Sequence, residues 1–247
     1  KINGHSSDFK TNELELFIGK NSFLKGDIRI TWLPNTSKTY IDAVVPSSKL
    51  LIKDVDSLIK GVQLPLVLYR LGELSFRGSF KGYLKDFETK GSLYSNLGLA
   101  NADLKVELYE NEKLKHYEGE LDLLNFDLGK LTNEKSLGLV SLTSTLNATG
   151  SAQENVKATV NAKINDFAFE SYNYHNVTVN GVIADRFFKG KLFSTDPNAN
   201  LDLNGSVDFS QRKPKINAET TIRNLELNKI NMSKDSIQIK AIVEMKF

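Results

Sequence analysis

Hydrophobic and polar residues alternate with a period of two over most of this chain. In residues 74 to 93, Leu74, Phe76 and Phe80 share one parity, whereas Arg77 and Lys81 share the other. Since successive side chains of a β-strand point to opposite faces, the segment predicts a ribbon with one apolar and one polar face. The alternation alone does not say what covers the apolar face.

The same period recurs in residues 156–164, 201–209 and 237–247. Turn-forming residues such as Asp196-Pro197-Asn198 separate these segments. Helical patterns are confined to residues 54–60 and 127–131, which are too short to shield a large sheet. The spacing therefore predicts consecutive antiparallel strands in an all-β chain. No linker-like stretch marks a domain boundary, so residues 1–247 are expected to form a single continuous unit.

Composition excludes several classes of function. No run approaches the roughly 18 apolar residues that a transmembrane helix requires. The formal net charge is +2, from 32 basic and 30 acidic residues, which provides no strong field for a nucleic acid. The chain contains no cysteine, and this excludes disulfides, thiolate metal ligands and cysteine nucleophiles.

Candidate catalytic and metal-binding residues are sparse. His5, His116 and His175 are far apart in sequence and are interpreted as surface residues rather than metal ligands. Asp86 and Glu88 have same-face spacing, but no apolar pocket is predicted that would separate the pKa values of two carboxylates. The sequence therefore predicts no catalytic residue, no metal site and no cofactor.

Three further features each have a structural interpretation. Gly78 and Gly82 are expected to bend a strand or to let another backbone or a ligand approach its inner face. Tyr172 and Tyr174 could stack on a sugar or a base, but packing is the favoured interpretation. The basic segment 211–215 could contact lipid head groups, although a solvated hairpin end is favoured.

Short motifs, in a particular order, carry a resemblance to a known family. They are LGELSFRGSFKG at 71–82, KDF at 85–87, GSL at 91–93, ADL at 102–104, YEG at 117–119, FDLGKL at 126–131, LGLVSL at 137–142, YNYHNV at 172–177, FKG at 188–190 and DLNGSVDF at 202–209. Together they resemble the middle of TamB/AsmA-like proteins, especially those of Bacteroidota. The resemblance covers roughly residues 60–235.

The resemblance implies a long antiparallel sheet curled lengthwise into an open groove with an apolar interior, the β-taco or repeating β-groove fold, with at most one or two short helices. Members of this family are anchored in the inner membrane by an N-terminal helix, extend through the periplasm and are implicated in carrying phospholipids to the outer membrane. TamB, the translocation and assembly module protein, also partners an Omp85-family outer-membrane barrel in protein assembly. The chain lacks the anchor helix and a barrel-binding domain, so it is expected to be an internal, periplasmic fragment.

The leading hypothesis is therefore a segment of a hydrophobic groove that contacts phospholipid acyl chains and performs no catalysis. Its expected lining is Leu74, Phe76, Phe80, Leu84, Leu201, Leu203, Val207, Phe209, Ile237, Ile239 and Val243. The alternative is a closed all-β structural or interaction module, in which the apolar face packs against a second sheet and strand edges bind a protein partner. A hydrolase or glycan enzyme comes third, and it would require convergent carboxylates or histidines.

Overall fold

The computed structural model describes residues 2–5, 8–32, 38–54, 66–108, 115–151, 154–184, 186–208, 210 and 215–246. These residues form one antiparallel sheet of 15 strands and short helical segments. The strands are β1 (Ile2–His5), β2 (Asp8–Ile18), β3 (Ser22–Thr31), β4 (Tyr40–Leu51), β5 (Glu73–Tyr83), β6 (Asp86–Ser95), β7 (Gly98–Leu108), β8 (Lys115–Asp127), β9 (Leu137–Ser151), β10 (Glu154–Phe169), β11 (Tyr172–Ala184), β12 (Phe187–Asp196), β13 (Ala199–Asp208), β14 (Lys215–Glu226) and β15 (Gln238–Lys246). The helices are α1 (Leu66–Leu71) and α2 (Leu128–Thr132).

The order of the strands in space is their order in the chain, from β1 to β15. Since β1 and β15 do not pair with each other, the sheet is open. At about 4.8 Å per strand it extends roughly 70 Å perpendicular to the strands. The predicted all-β fold with consecutive antiparallel strands is confirmed. The single ribbon expected over residues 74–93 is wrong in detail, because Leu84 and Lys85 form a turn between β5 and β6.

The helix expected over residues 127–131 is confirmed within one residue. Asp127 caps α2, and its carboxylate accepts a hydrogen bond from the backbone N–H of Lys130 at 2.8 Å. The helix ends at Asn133, which adopts the left-handed conformation. The other expected helix, at 54–60, lies mostly outside the described residues, although residues 52–54 are helical. Because α1 was not expected, the described residues contain three short helical segments where one or two were predicted.

The closed sandwich considered as the alternative does not form among the described residues. Each strand there pairs only with its sequence neighbours, and all 15 strands belong to one sheet. The chain exposes 16168 Å², whereas a compact monomer of 27.6 kDa exposes about 11,000 Å². Within the described ranges, the apolar face of the sheet therefore has no second sheet covering it.

A packed cluster of apolar residues lies along one long edge of the sheet, and further buried residues, among them Val45, Val106 and Ala162, lie on its face. We call this edge the helix rim, because it carries α1, α2, the turns at 96–97, 170–171 and 197–198, and the loop 227–237. The opposite edge, with the turns at 84–85 and 186, is the far rim. At the helix rim, Leu71, Leu97, Phe126 and Val140 form a buried cluster. Residues that pack against this cluster are Leu74, Ala100, Leu123, Leu128, Leu131, Leu142, Ile164 and Phe167.

Candidate binding groove

Strand register aligns the apolar residues of successive strands into four rows on one face, which we call the inner face. Each row runs along the length of the sheet, and neighbouring rows are about 7 Å apart, so the four rows span roughly 20 Å. We name the rows after their residues in β5: the Phe76, Gly78, Phe80 and Gly82 rows. None of the described residues in these rows is charged.

The four rows follow directly from the pairing of the strands. The Phe76 row contains Phe76, Leu93, Ala100, Leu123, Leu142, Ile164, Val177, Ser194, Leu201, Ile222 and Ala241. The Gly78 row contains Val45, Gly78, Gly91, Ala102, Leu121, Ser144, Ala162, Val179, Leu192, Leu203, Thr220 and Val243. The Phe80 row contains Thr11, Ile28, Ala43, Phe80, Thr89, Leu104, Gly119, Leu146, Val160, Gly181, Gly190, Gly205 and Ala218. The Gly82 row contains Phe9, Ile30, Ile41, Gly82, Phe87, Val106, Tyr117, Ala148, Ala158, Ile183, Phe188, Val207 and Ile216.

The opposite, outer face carries the charges of the sheet. Lys90 and Asp103 form a 2.6 Å ion pair across β6 and β7, and Arg223 and Asp202 form one of 2.5 Å across β13 and β14. Both pairs are solvent-exposed, so they contribute little to stability, but opposite charges on paired strands favour the observed register.

The outer face also carries exposed apolar and aromatic side chains. Val44, Tyr94 and Phe193 are among them, and Ile242 of β15 is 88% exposed.

Glycines let neighbouring strands approach closely on the inner face. At Gly119 the backbone φ is +138°, and a side chain there would overlap the carbonyl oxygen of Asp103 on β7. At Gly190 a side chain would overlap the backbone of Asn180 and Gly181 on β11. These close approaches require residues without Cβ. Gly119, Gly181, Gly190 and Gly205 all lie in the Phe80 row, a line that we call the crease, and we infer that the open sheet curls about it.

The helix rim of the groove is closed by the chain itself. Between β5 and β10 the cover is the cluster around Leu71, and Arg70 of α1 donates to the backbone oxygen of Leu131 in α2 at 2.5 Å. Beyond β10, the loop 227–237 leaves β14 and reaches the β10–β11 turn, where the side-chain amide of Asn231 donates to the backbone oxygen of Glu170 at 2.9 Å. Ile230 of this loop is only 1% exposed.

A buried carboxylate fixes the rim beneath that loop. Asp196, 0% exposed, accepts hydrogen bonds from the hydroxyl of Tyr172 and from the backbone N–H groups of His175, Asn198 and Ala199, at 2.7 to 3.0 Å. Burial, together with the hydrogen bond to Asp196, raises the pKa of Tyr172 to about 12. The hydroxyl therefore remains a donor at neutral pH.

The two expected tyrosines pack, as predicted. The rings of Tyr172 and Tyr174 meet edge to face, with centroids 4.7 Å apart. Burial raises the pKa of Tyr174, and the nearby Asp196 adds to the shift. The Tyr174 hydroxyl is buried and has no hydrogen-bond partner among the described residues. This end of the inner face is therefore aromatic and closely packed rather than an accessible sugar or base site.

The expected lining residues fall into three groups. Those in the four inner rows are Phe76, Phe80, Leu201, Leu203, Val207 and Val243. Leu74 and Ile239 lie on the same face at the helix rim, where Leu74 packs against the rim cluster. The strand positions expected for Leu84 and Ile237 are wrong, since Leu84 lies in the β5–β6 turn and Ile237 precedes β15; they are 43% and 41% exposed. Phe209 lies outside the described residues.

Sequence reasoning missed much of the inner face. The residues that it did not name as part of the groove lining include Leu93, Leu104, Leu121, Leu142, Val177, Leu192 and Ile222. Their parity within each strand carried the signal, but only the register shows that they align with Phe76 and Leu201. Tyr117 was also missed; it lies in the Gly82 row, and burial raises the pKa of its hydroxyl.

No convergent polar site emerges elsewhere in the part of the chain that the structure describes. His116 lies near Glu107 and Asn147, and His175 lies 2.8 Å from Asp166, all on the outer face. Asp86 and Glu88 are exposed, as expected. Within the described residues, no group of three or more histidine or carboxylate side chains is placed to hold a metal ion. No helix of those residues has the length and apolarity needed to cross a bilayer.

Comparisons with known proteins assign no family. No protein-family model matches the chain, and neither the curated proteins nor the solved structures include a significant match. The resemblance to TamB/AsmA-like proteins therefore stays a prediction.

Proposed function

We propose that this chain is a segment of a lipid-conducting groove that contacts phospholipid acyl chains through its inner rows. The observation that carries the proposal is the uncharged inner face, which runs from β5 to β15 without a covering sheet among the described residues. Most apolar side chains of these rows are only partly buried. The part of their surface that still meets water costs about 25 cal/mol per Å², and acyl chains would remove that part from water.

The energetics fit transfer without chemistry. Each acyl CH₂ withdrawn from water contributes about 0.8 kcal/mol, so a chain of about sixteen carbons gains on the order of 10 kcal/mol before ordering costs. Apolar contacts are non-directional, and the same kinds of side chain recur from strand to strand. A lipid can therefore move along the groove through positions of similar free energy. No catalytic group, metal or cofactor is required for this function.

The cellular role that we propose follows from the family resemblance. The parent protein would carry phospholipids between the inner and outer membranes across the periplasm, anchored in the inner membrane through an N-terminal helix outside this chain. It would also support outer-membrane protein assembly, and contact with an Omp85-family barrel would involve other parts of the parent.

The test places a charge on one face or the other of the same strand. Phe80→Asp introduces a carboxylate on the inner face, beside Phe87, whose ring stacks on Phe80 at 4.6 Å. Ser79→Asp introduces one on the outer face. Because an unpaired charge in an apolar site is costly, we expect phospholipid occupancy to fall at least tenfold for Phe80→Asp and less than twofold for Ser79→Asp. Val207→Lys and Ser206→Lys form a second matched pair with the same expectation.

Occupancy is measured by native mass spectrometry and by lipid extraction from purified protein, with circular dichroism to confirm that each variant is folded. A photo-crosslinking phenylalanine analogue at position 80 would then report lipid adducts in cells. Folded wild-type protein that binds no phospholipid would refute the proposal, as would equal losses from the two faces.

A second candidate function is a scaffold that binds a protein partner through a strand edge. It is favoured by β15, the last strand of the described sheet, where Ile242 is 88% exposed. A complex with an Omp85-family protein that survives Phe80→Asp, but is lost in Ile242→Asp, would favour the scaffold role over lipid transport.

A further inference from the structure

The inner face stays uncharged along β8 until it meets Lys115 at the far rim. Lys115 is the first residue of β8 and has the parity of Tyr117, Gly119 and Leu121, so it extends the inner face one position beyond the Gly82 row. Acidic residues at this rim whose side chains are described lie on the outer parity. These are Asp8, Asp86, Glu107 and Asp208.

Tyr117 and Lys115 present two hydrogen-bond donors to the same space. They are two residues apart on one face of a strand, which corresponds to about 7 Å. Lys115 is exposed and Tyr117 half-buried. Neither side chain has a hydrogen-bond or ion-pair partner among the described residues. With respect to the described residues, the hydroxyl and the ammonium are therefore both available to an acceptor from outside the chain.

Small residues lie beside this pair on the next strand. Ala148 of β9 is the partner of Tyr117, and Gly150 follows two residues later on the same face. Gly150 is buried and Ala148 is half-buried. The tyrosine therefore lies among small, uncharged residues at the mouth of the groove, and Lys115 is the exposed residue of the pair.

The depth of the groove below Tyr117 matches an acyl chain. From Tyr117 to Leu123 the inner face of β8 is uncharged over six residues, or about 20 Å. The hydrocarbon of one bilayer leaflet is about 15 Å deep. A lipid with its polar group at Lys115 could therefore place its chains entirely against the inner rows and end them near the closed helix rim.

We propose that Lys115 and Tyr117 bind the phosphate of a phospholipid whose acyl chains lie in the groove. This inference rests on the proposed function and adds a head-group site to it. Phosphate oxygens are strong acceptors, and a hydrogen bond from an ammonium group to a phosphate is among the stronger ones in proteins. The tyrosine hydroxyl adds a neutral donor from the apolar side of the site.

The test compares two lipids with identical chains. Delipidated full-length chain is equilibrated with detergent-solubilised dioleoylphosphatidic acid or with dioleoylglycerol, which lacks the phosphate, and bound lipid is quantified by mass spectrometry. Wild-type protein should prefer the phosphatidic acid. Lys115→Gln should reduce that preference about tenfold, while binding of dioleoylglycerol stays unchanged. Tyr117→Phe should reduce the preference about threefold. Lys157→Gln, an exposed cation of the outer face at the same rim, serves as the control.

The outcomes separate this inference from the proposed function. If wild-type protein binds neither lipid, the proposed function fails and this inference fails with it. If it binds both lipids, and Lys115→Gln and Lys157→Gln have equal effects, only the head-group site is refuted. Titration with inorganic phosphate, followed by NMR at Tyr117, identifies the source of the phosphate. Saturation by free phosphate without lipid would overturn the assignment to a lipid head group.

Discussion

The helix rim and the floor of the groove have similar apolar residues but very different surroundings. At the rim, Phe126 and Val140 are 5% and 2% exposed, because α1, α2 and their loops pack over them. On the floor, Phe76 and Leu203 belong to the same sheet and the same face, yet remain only partly buried. A few helical turns and one loop therefore distinguish a fully packed cluster from a face on which most of the larger side chains keep part of their surface exposed.

We therefore expect the rim to contribute most to the stability of the fold and the floor to carry the proposed lipid binding. Substitutions at the rim remove contacts that the chain makes with itself. Substitutions on the floor remove contacts that, in our proposal, the chain makes with lipid. Comparing the two regions by mutation therefore tests both the fold and the function.

The largest effect is expected from truncation at the rim. Phe126→Ala should lower the free energy of unfolding by about 3 to 5 kcal/mol, since it leaves a cavity inside the buried cluster. Phe76→Ala, the matched change on the floor, should cost less than half as much without lipid. Urea denaturation of delipidated protein measures both values. Equal losses of stability would mean that the floor is packed as closely as the rim, and the proposed difference between the two regions would be refuted.

A smaller effect is expected at the crease, where backbone rather than side chains shapes the floor. Gly190→Val should destabilise the fold by about 2 to 3 kcal/mol, because its Cβ overlaps the backbone of Asn180 and Gly181. The control is Lys191→Val on the outer face of the same strand, with an expected change within about 0.5 kcal/mol. Thermal or urea unfolding gives the difference, and a neutral Gly190→Val would show that the crease does not depend on the glycine.

The smallest effect concerns the cap of α2, which helps to hold the rim cover. Asp127→Ala should cost about 1 kcal/mol at pH 7 through loss of the hydrogen bond to the Lys130 N–H. That hydrogen bond lowers the pKa of Asp127 in the folded state. Its contribution is therefore complete above the unfolded-state pKa of about 3.9 and is lost as the pH falls through the lower folded-state value. Unfolding of wild type and variant should therefore show a larger difference in stability at pH 7 than near pH 2.5.

Much of the strand architecture could be predicted from the local alternation of apolar and polar residues. The helices and loops that cover the rim cluster could not. Parity placed Phe76, Phe80 and Leu203 correctly on one face, because a strand has only two faces. The expected close approach at Gly78 is confirmed, since a side chain there would overlap the backbone of Lys90 and Gly91. These are consequences of covalent geometry over a few residues.

The features that were not predicted depend on contacts between residues that are distant in sequence. The helix α1 is only six residues long, and its place in the fold depends on Leu71 meeting Leu97, Phe126 and Val140. The burial of Asp196 depends on Tyr172, which lies 24 residues earlier. Ile237 continued an alternating pattern but lies outside β15, because the loop 227–237 turns along the rim before the strand begins. Periodicity carries no information about such partners.

The order of the strands has a consequence for how the sheet is assembled. Among the described strands, every pairing joins a strand to the one immediately before it, so none of them must pair with a distant segment of the chain. Low contact order favours rapid folding, and it allows each new hairpin to dock on the edge already present as the polypeptide emerges. A protein built in this way can gain or lose hairpins in evolution and change its reach by about 10 Å at each step, while its cross-section stays the same.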